Sequence, residues 1–305
     1  MYFFKRFLFL IPLLLFISFQ AFVLVRVAPG GPFDKERKPA SPEIERHLKA
    51  KYHLDEPLLK QYGRYLVGLL QGDFGPSLKY RNYTVTDIIM QGLPISLLLG
   101  SFAFIFALAV GIPLGAWAAL RRGQWPDYLG NFLALLAVCT PGFVVGPVLI
   151  MLFAIHWRWF PVALWESPVH VVLPTVTLGI FFAGKIARLM REGMLVTLQA
   201  GFITTARAKG LSEAAVVFKH ALRLAVLPVV SYSGPLLADL LTGSFVVENL
   251  FQIPGIGVFM VNSSLNRDYP MVVGLVLLYA VLLLVLNLVV DLLYGLFDPR
   301  VKLGS

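Results

Sequence analysis

Six long apolar runs dominate the hydrophobic pattern of the chain. They cover residues 7–25, 95–120, 128–155, 170–188, 226–247 and 271–293. A run of about 20 apolar residues matches the hydrocarbon thickness of a bilayer, where the backbone must satisfy its own hydrogen bonds. Because the runs are continuous rather than alternating, they predict helices. We therefore predict an all-α, polytopic membrane bundle of about six transmembrane helices.

Two of these runs contain residues that modify a helix. The third run is interrupted by proline and glycine at residues 140–142 and again at 146–147, which predicts a kink because proline cannot donate a backbone hydrogen bond. The second run contains Gly111 and Gly115, and for these we favour close helix packing over a hinge.

Residues 28–92 form a polar segment between the first two runs. Ser41, Pro42 and Glu43 are typical of a helix start, and a second start follows at residues 56–57. Apolar residues then recur at helical spacing, so we predict amphipathic helices. Two interpretations stay open: the helices lie on the outer membrane face or over a pore mouth, or they only cap the bundle.

The composition agrees with a membrane protein, and the distribution of basic residues predicts its orientation in the membrane. The chain is 58% hydrophobic and 14% charged, against about 25% charged in soluble domains. The net charge of +9 does not indicate nucleic-acid binding, since the basic residues cluster at the ends of the apolar runs. With the N-terminus in the cytoplasm, the short outer loops hold only Arg158 and Arg267, and the inner side holds thirteen basic residues: Lys5, Arg6, Arg121, Arg122, Lys185, Arg188, Arg191, Arg207, Lys209, Lys219, Arg223, Arg300 and Lys302. This bias predicts a multi-pass membrane protein with both termini cytoplasmic.

The loop between the fourth and fifth runs has the most informative sequence. It reads as two short helices separated by Gly210, with Ser212 as N-cap of the second and Glu213 in its first turn. Val216, Val217 and Phe218 are expected to give it an apolar surface. Such a helix pair either docks into a groove of a cytoplasmic partner or lies on anionic lipid, and composition alone favours the lipid.

This loop resembles the coupling loop of binding-protein-dependent ABC importers. That family's pattern is Glu-Ala-Ala, three residues, Gly and a distal Ile-x-Leu-Pro. Here Gly210 and Leu227–Pro228 match, whereas Thr204 and Thr205 replace the first two residues and the Gly-to-Pro spacing is longer. The ARAKG sequence at 206–210 and the HALR sequence at 220–223 are similar to the peptide and nickel branch of the family.

Six further segments carry the same resemblance along the chain. They read RVAPGGPF at 26–33, GDFGPS at 72–77, TGSFVVE at 242–248, IPGIG at 253–257, NRDYP at 266–270 and LYGLFDPR at 293–300. In this order they resemble the B-type permease subunits of oligopeptide importers. The segment KYHLDEP at 51–57 also resembles those permeases.

The resemblance implies a fold, a domain organisation and a set of partners. The expected fold is that of a type I ABC importer permease with a periplasmic helical insertion. Residues 1–27 would be the cytoplasmic N-terminus and first helix, 28–92 the periplasmic segment, 93–294 the permease domain with its coupling loop at 191–225, and 295–305 a cytoplasmic tail. The implied partners are a homologous second permease, two ATP-binding subunits, a periplasmic peptide-binding protein and membrane lipid. The residues expected to contact the ATPase are Thr205, Ala206, Arg207, Ala208, Lys209, Gly210, Leu211, Ser212 and Glu213.

The resemblance also implies transport of oligopeptides by alternating access. A dipeptide or nickel importer of the same branch is the alternative. A different class, an ion-coupled carrier or an intramembrane enzyme, is disfavoured because we find neither internal repeats nor a catalytic pair. The chain lacks a Gly-x4-Gly-Lys-Ser/Thr phosphate loop, so ATP hydrolysis is expected in separate subunits and the chain is not expected to be an enzyme.

Three acidic residues near the last two runs are candidates for a polar role. Asp239 either lines the translocation path and meets a peptide's amine, or forms a structural hydrogen bond or ion pair; the two interpretations weigh equally. Asp291 is expected to pair with Lys185 or Arg188, and Glu248 to cap or hydrate a helix end at the start of the outer loop. The single cysteine, Cys139, is expected to be buried, and no spacing of Cys and His indicates a metal, so no cofactor is expected.

Overall fold

The computed structural model describes the backbone of residues 2–27, 55–80, 82–241 and 245–297, and the side chains of 10–27, 55–80, 82–241 and 245–289. These residues form helices and connecting turns, with one isolated bridge between Pro76 and Thr84 and no strand among them. The predicted helix start at residues 41–43, and residues 298–305 of the predicted tail, lie outside the described residues.

The described helices follow one another along the chain. In chain order they are α1 (Tyr2–Val27), α2 (Leu58–Leu70), α3 (Val85–Leu120), α4 (Trp125–Cys139), α5 (Gly142–Leu149), α6 (Val172–Leu198), α7 (Gly201–Ala208), α8 (Glu213–Ala215), α9 (Leu222–Ala225), α10 (Leu227–Leu241), α11 (Phe245–Leu250), α12 (Ile256–Asn266) and α13 (Tyr269–Phe297). Two π-helical segments, Ile150–His156 and Val216–Ala221, follow α5 and α8. The second helix start predicted at residues 56–57 is confirmed by α2, which Pro57 precedes.

Five helical stretches are long and apolar enough to cross a membrane: Leu10–Val27, Val85–Leu120, Pro168–Leu198, Leu227–Leu250 and Tyr269–Val289. The third predicted run forms two helical pieces, Trp125–Cys139 and Gly142–His156, which meet at an angle of 106°. The predicted kink at residues 140–142 is therefore confirmed, and so is the all-α membrane bundle.

Small residues show which way neighbouring helices run. Gly179 near the start of α6 lies against Ala103 of α3, and Gly115 further along α3 lies against Ala187 further along α6. The two helices are therefore parallel, and their backbones approach closely because glycine has no Cβ. Two parallel spans require one crossing between them, so α4 and α5 together make one broken span rather than a re-entrant hairpin. This gives the six crossings that the hydrophobic pattern predicts.

Glycine contacts also fix the direction of α10. Gly193 near the end of α6 lies against Ala225, just before α10, and Gly100 near the start of α3 lies against Leu240, near the end of α10. Helix α10 is therefore antiparallel to α3 and α6. The connection between α6 and α10 lies at the end of the bundle where α3 ends at Leu120, which we call the basic end because Arg121 and Arg122 follow there.

The chain divides into two compact units by its contacts. The first contains Met1–Ser96 and Pro254–Leu284, and the second contains Leu97–Ile253 and Val285–Leu303. Within the first unit, six buried side chains from α3, α12 and α13 form an apolar cluster: Val85, Ile88, Ile89, Ile256, Met271 and Leu275. The predicted division at residue 93 describes topology rather than contacts and stays a prediction.

Two expectations about single side chains are wrong. Glu248 does not hydrate a helix end, because it lies within α11 and its side chain is fully buried; the alternative, that it caps a helix end, stays a prediction. Cys139 is exposed on the described chain, since it ends α4 at the bend. The fourth span also extends about three turns beyond its predicted end, to Leu198.

Candidate functional site

The connection between α6 and α10, at the basic end of the second unit, contains all the residues that the sequence assigns to an ATPase contact. We call residues 205–213 the coupling turn. It joins α7 to α8, and the predicted pair of helices separated by Gly210 is present. Eight of its nine residues are exposed, and Ala206 is buried.

Glycine shapes the first half of the coupling turn. The Gly210 N–H donates to the Arg207 carbonyl at 2.9 Å and the Leu211 N–H donates to the Ala206 carbonyl at 3.4 Å. This pair of hydrogen bonds ends a helix in a Schellman motif, which requires a left-handed residue. Gly210 has φ = 77°, and no heavy atom lies within 4 Å of the position of an added Cβ. Glycine is therefore needed for its backbone conformation and not for lack of space.

A cap and an ion pair hold the second half. The Ser212 side chain accepts the N–H of Ala215 at 3.3 Å, which confirms it as the N-cap of α8. Across the turn, Arg207 donates to both carboxylate oxygens of Glu213, at 2.8 and 3.2 Å. Cap, glycine and ion pair together give an exposed segment one defined shape.

Apolar side chains divide between the two faces of this connection. Ile203 is fully buried, and so is Val216, with Val217 nearly so; the predicted apolar surface of the two valines is therefore wrong. Phe202, Leu211 and Phe218 point outward and are 42%, 41% and 71% exposed. The exposed side of this connection therefore carries three apolar side chains.

A second arginine–carboxylate pair lies at the base of the same connection. Arg191, near the end of α6, donates to both carboxylate oxygens of Asp127, in the first turn of α4, at 2.7 and 3.0 Å. Asp127 also accepts from the Asn131 amide and the Gly123 N–H, each at 3.0 Å, and it is only 5% exposed. Sequence reasoning missed this pair; its only signal was an acid in the first turn after Trp125–Pro126.

Polar side chains also share the space between α6 and α10 at membrane depth. The Lys185 ammonium lies 4.4 Å from the centre of the Phe181 ring and 5.9 Å from that of Tyr232. Asp239 follows Tyr232 by two helical turns on the same face of α10, is exposed on the described chain and interacts electrostatically with Tyr232. Lys185 is thus held over aromatic rings. The Asp291 side chain lies outside the described residues.

A metal centre finds no support in the part of the chain that the structure describes, since no three His, Cys, Asp or Glu residues cluster there.

Comparison with known proteins gives consistent results. Residues 111–303 match the profile of a family described as binding-protein-dependent transport system inner membrane component. The chain is 44% identical over 301 residues to the oligopeptide transport system permease protein OppB of Haemophilus influenzae, covering 98% of both chains. It is also 44% identical over 302 residues to the dipeptide transport system permease protein DppB of Bacillus subtilis, covering 99% of this chain and 98% of the relative.

A solved structure supports the fold alone. The chain is similar to a chain of the MetNI methionine ABC transporter, described as inward facing, with a TM-score of 0.58 and 16% identity. The match covers 69% of this chain and 96% of that one.

Proposed function

The chain belongs to the family of binding-protein-dependent transport system inner membrane components, and from this premise we propose that it forms half of the pore of an ATP-driven oligopeptide importer. The family consists of permease subunits of ABC transporters, and the chain has their type I importer fold. A homologous permease would complete the pore, two ATP-binding subunits would hydrolyse ATP, and a periplasmic peptide-binding protein would deliver the peptide.

One observation carries the proposal: the coupling turn is exposed, apolar at Leu211 and held in one shape at the basic end of the bundle. A rigid turn that presents an apolar side chain fits a groove on an ATPase subunit. The Schellman motif and the ion pair hold Leu211 in position for such a contact.

The contacts at its base suggest how movement of the coupling turn reaches the pore. The connection after the turn lies against α6 at Gly193. Helix α6 is joined to the first turn of α4 by the ion pair between Arg191 and Asp127. Helix α4 begins the broken span. We propose that closure of the ATPase subunits moves the turn together with α6 and α4, so that the pore opens alternately to each side.

Orientation follows from charge. The basic end carries Arg121, Arg122, Arg191, Lys209 and Arg223, and the positive-inside rule places such an end in the cytoplasm. This supports an inner-membrane protein with both termini cytoplasmic.

The space around Asp239 supports its role as a translocation-path residue. An exposed carboxylate at membrane depth is costly unless it faces a partner subunit or a water-filled path. With the Lys185 cation one helix away over Tyr232, the two charges could meet the amine and carboxylate ends of a peptide.

The identity of the transported peptide is the most detailed part of the proposal. The oligopeptide permease of Haemophilus influenzae and the dipeptide permease of Bacillus subtilis are each 44% identical to this chain. Sequence identity therefore does not distinguish oligopeptide transport from dipeptide transport. The outer sequence GDFGPS at 72–77 favours oligopeptides as the transported solute. Uptake of labelled di-, tri- and pentapeptides by cells carrying the complete transporter separates the two, and uptake of dipeptides alone would reject the oligopeptide proposal.

A variant that uncouples ATP hydrolysis from peptide uptake tests the role of the coupling turn. Gly210→Pro removes the N–H that bonds to Arg207 and cannot adopt φ = 77°. We expect peptide uptake to fall at least tenfold while the complex still hydrolyses ATP. Gly201→Ala, at an exposed position with open space around its Cβ, is the matched control and should transport normally.

Two outcomes would contradict this proposal. Normal uptake by the Gly210→Pro variant would remove the turn from the mechanism. Purification of the full chain from detergent without any ATP-binding subunit, while the chain alone transports peptide, would reject the importer class.

The path residue has its own test. Asp239→Asn should lower the uptake of peptides with a free amino terminus several-fold and leave assembly with the other subunits intact. N-acetylated peptides serve as the control, because they lack the amine and should be transported equally by both forms. Unchanged uptake of free peptides would remove Asp239 from the path.

A further inference from the structure

A cavity of about 290 Å³ lies beside the last turn of α1, within the first compact unit. Its walls come from the end of α1, from α2 and the loop after it, and from the start of α13. Arg26 lies at the polar end of an apolar membrane helix and contributes a positive charge to the wall of the cavity.

The Arg26 guanidinium is held in place but its charge is not neutralised. It lies 3.4 Å from the centre of the Phe22 ring, its Nε donates to the Gln61 side chain at 3.0 Å, and an Nη donates to the Phe22 carbonyl at 3.3 Å. Among the described residues no carboxylate lies within ion-pair distance of it. A half-buried arginine in this position is stabilised by an anion that binds from outside.

A second donor lies in the same cavity. The Tyr65 hydroxyl is buried and has no hydrogen-bond partner among the described residues. Burial raises the pKa of Tyr65, so its hydroxyl is a neutral donor at physiological pH. The cavity's other charged groups are already engaged: Arg64 pairs with Glu56 at 3.0 Å, and the Asp73 carboxylate accepts the Gly75 N–H at 2.8 Å.

An apolar groove adjoins this polar cavity. It measures about 320 Å³, also lies within the first unit, and shares Phe74 with the cavity. Residues of α1 and α13 line it at membrane depth, among them Leu14, Leu15, Leu277 and Val281. From Arg26 to Leu15 the helix rises about 16 Å, which is close to half of a hydrocarbon core of about 30 Å.

We propose that this pair of cavities binds one phospholipid, with its phosphate on Arg26 and Tyr65 and an acyl chain along the groove. The shared chemistry of the headgroup site is an oxyanion, and the adjoining groove identifies its source as a lipid rather than free phosphate. With the orientation proposed above, the lipid belongs to the periplasmic leaflet. Free phosphate and the chain's own residues 28–54 are the competing occupants.

Native mass spectrometry of the delipidated full-length chain, titrated with dioleoyl phosphatidylglycerol, tests the proposal. We expect the wild type to bind one lipid more tightly than the rest. Arg26→Gln should weaken that binding at least tenfold, and Tyr65→Phe, which removes only the unpartnered hydroxyl, about threefold. Arg122→Gln, at an exposed basic helix end outside the cavity, is the matched control and should bind like the wild type.

The groove has an independent pair of variants. Val281→Trp fills it without touching Arg26 and should weaken binding at least tenfold, whereas Val285→Trp, one turn further along α13 and outside the groove, should not. Equal binding by the wild type, Tyr65→Phe and Val281→Trp would overturn the proposal.

Competition distinguishes the occupants. Displacement of the lipid by millimolar inorganic phosphate, or by glycerophosphoglycerol without acyl chains, would make the site one for a free anion and overturn the lipid proposal. Failure of the wild type to take up one tightly bound lipid would overturn the proposal equally.

Discussion

The second compact unit contains two arginine–carboxylate pairs with the same bidentate geometry and opposite surroundings. Arg207 and Glu213 face each other across the exposed coupling turn, with side chains 45% and 67% exposed. Arg191 and Asp127 join two helices, and Asp127 is covered by its neighbours. An exposed pair contributes little stability because water and salt screen it, so its use is to shape a surface. Removal of one partner from a covered pair leaves a charge uncompensated.

The difference suggests a division of labour within the proposed transport cycle. The coupling turn must remain available for a partner, so its shape depends on local hydrogen bonds and on Gly210. The base of the connection must transmit force, so it depends on a pair that joins α6 to α4. If this is correct, mutations at the base affect folding and transport together, and mutations in the turn affect mainly transport.

The largest effect is expected at the base. Asp127→Ala leaves Arg191 without its carboxylate and removes the acceptor for the Gly123 N–H. We expect a loss of about 2–3 kcal/mol in the free energy of unfolding, somewhat less than for a deeply buried pair, because the Arg191 side chain is still 23% exposed. Equilibrium unfolding in mixed detergent micelles measures it.

A double-mutant cycle sharpens this result. Asp127→Ala and Arg191→Ala together should cost much less than the sum of the two single changes, with a coupling energy above about 1 kcal/mol. Additive effects would mean that the two groups do not depend on each other, and the comparison with the exposed pair would lose its basis.

An intermediate effect is expected at the glycine of the turn. Gly210→Ala has room for its methyl group but must keep φ = 77°, which costs about 1 kcal/mol. Gly72→Ala is the matched control, with φ = 75° and equally open space, in the turn after α2 and outside the coupling turn and its base. We expect similar losses of stability in both variants, and a several-fold fall in peptide uptake only in Gly210→Ala. Equal uptake by the two variants would contradict a special role for the coupling turn.

The smallest effect on stability is expected for the exposed pair. Glu213→Ala should change the free energy of unfolding by at most about 0.5 kcal/mol, and 0.5 M salt should abolish even that difference. Its effect should appear instead as weaker co-purification of the ATP-binding subunits. A stability loss as large as that of Asp127→Ala would show that exposure does not separate the two pairs.

Local signals in the sequence predicted the local structure well. Continuous apolar runs identified the spans, prolines and glycines at residues 140–142 placed the kink, and Gly210 with Ser212 placed the two halves of the turn. Each of these features depends on lipid exclusion of water or on backbone preferences within a few residues, so sequence contains the full information. The family resemblance rests on the same turn, at residues 206–210, and on short motifs along the rest of the chain.

Long-range pairings were decided by tertiary structure. The sequence alone determined the spans, the basic end and the shape of the turn, because these follow from residue chemistry over one or two turns. Only the fold decided that Asp127 meets Arg191 across 64 positions, that Glu248 is buried, and that Lys185 lies over Tyr232. In a membrane bundle most helix faces are apolar, so the sequence does not state which face meets which neighbour; close backbone packing at small residues such as Gly115 settles it.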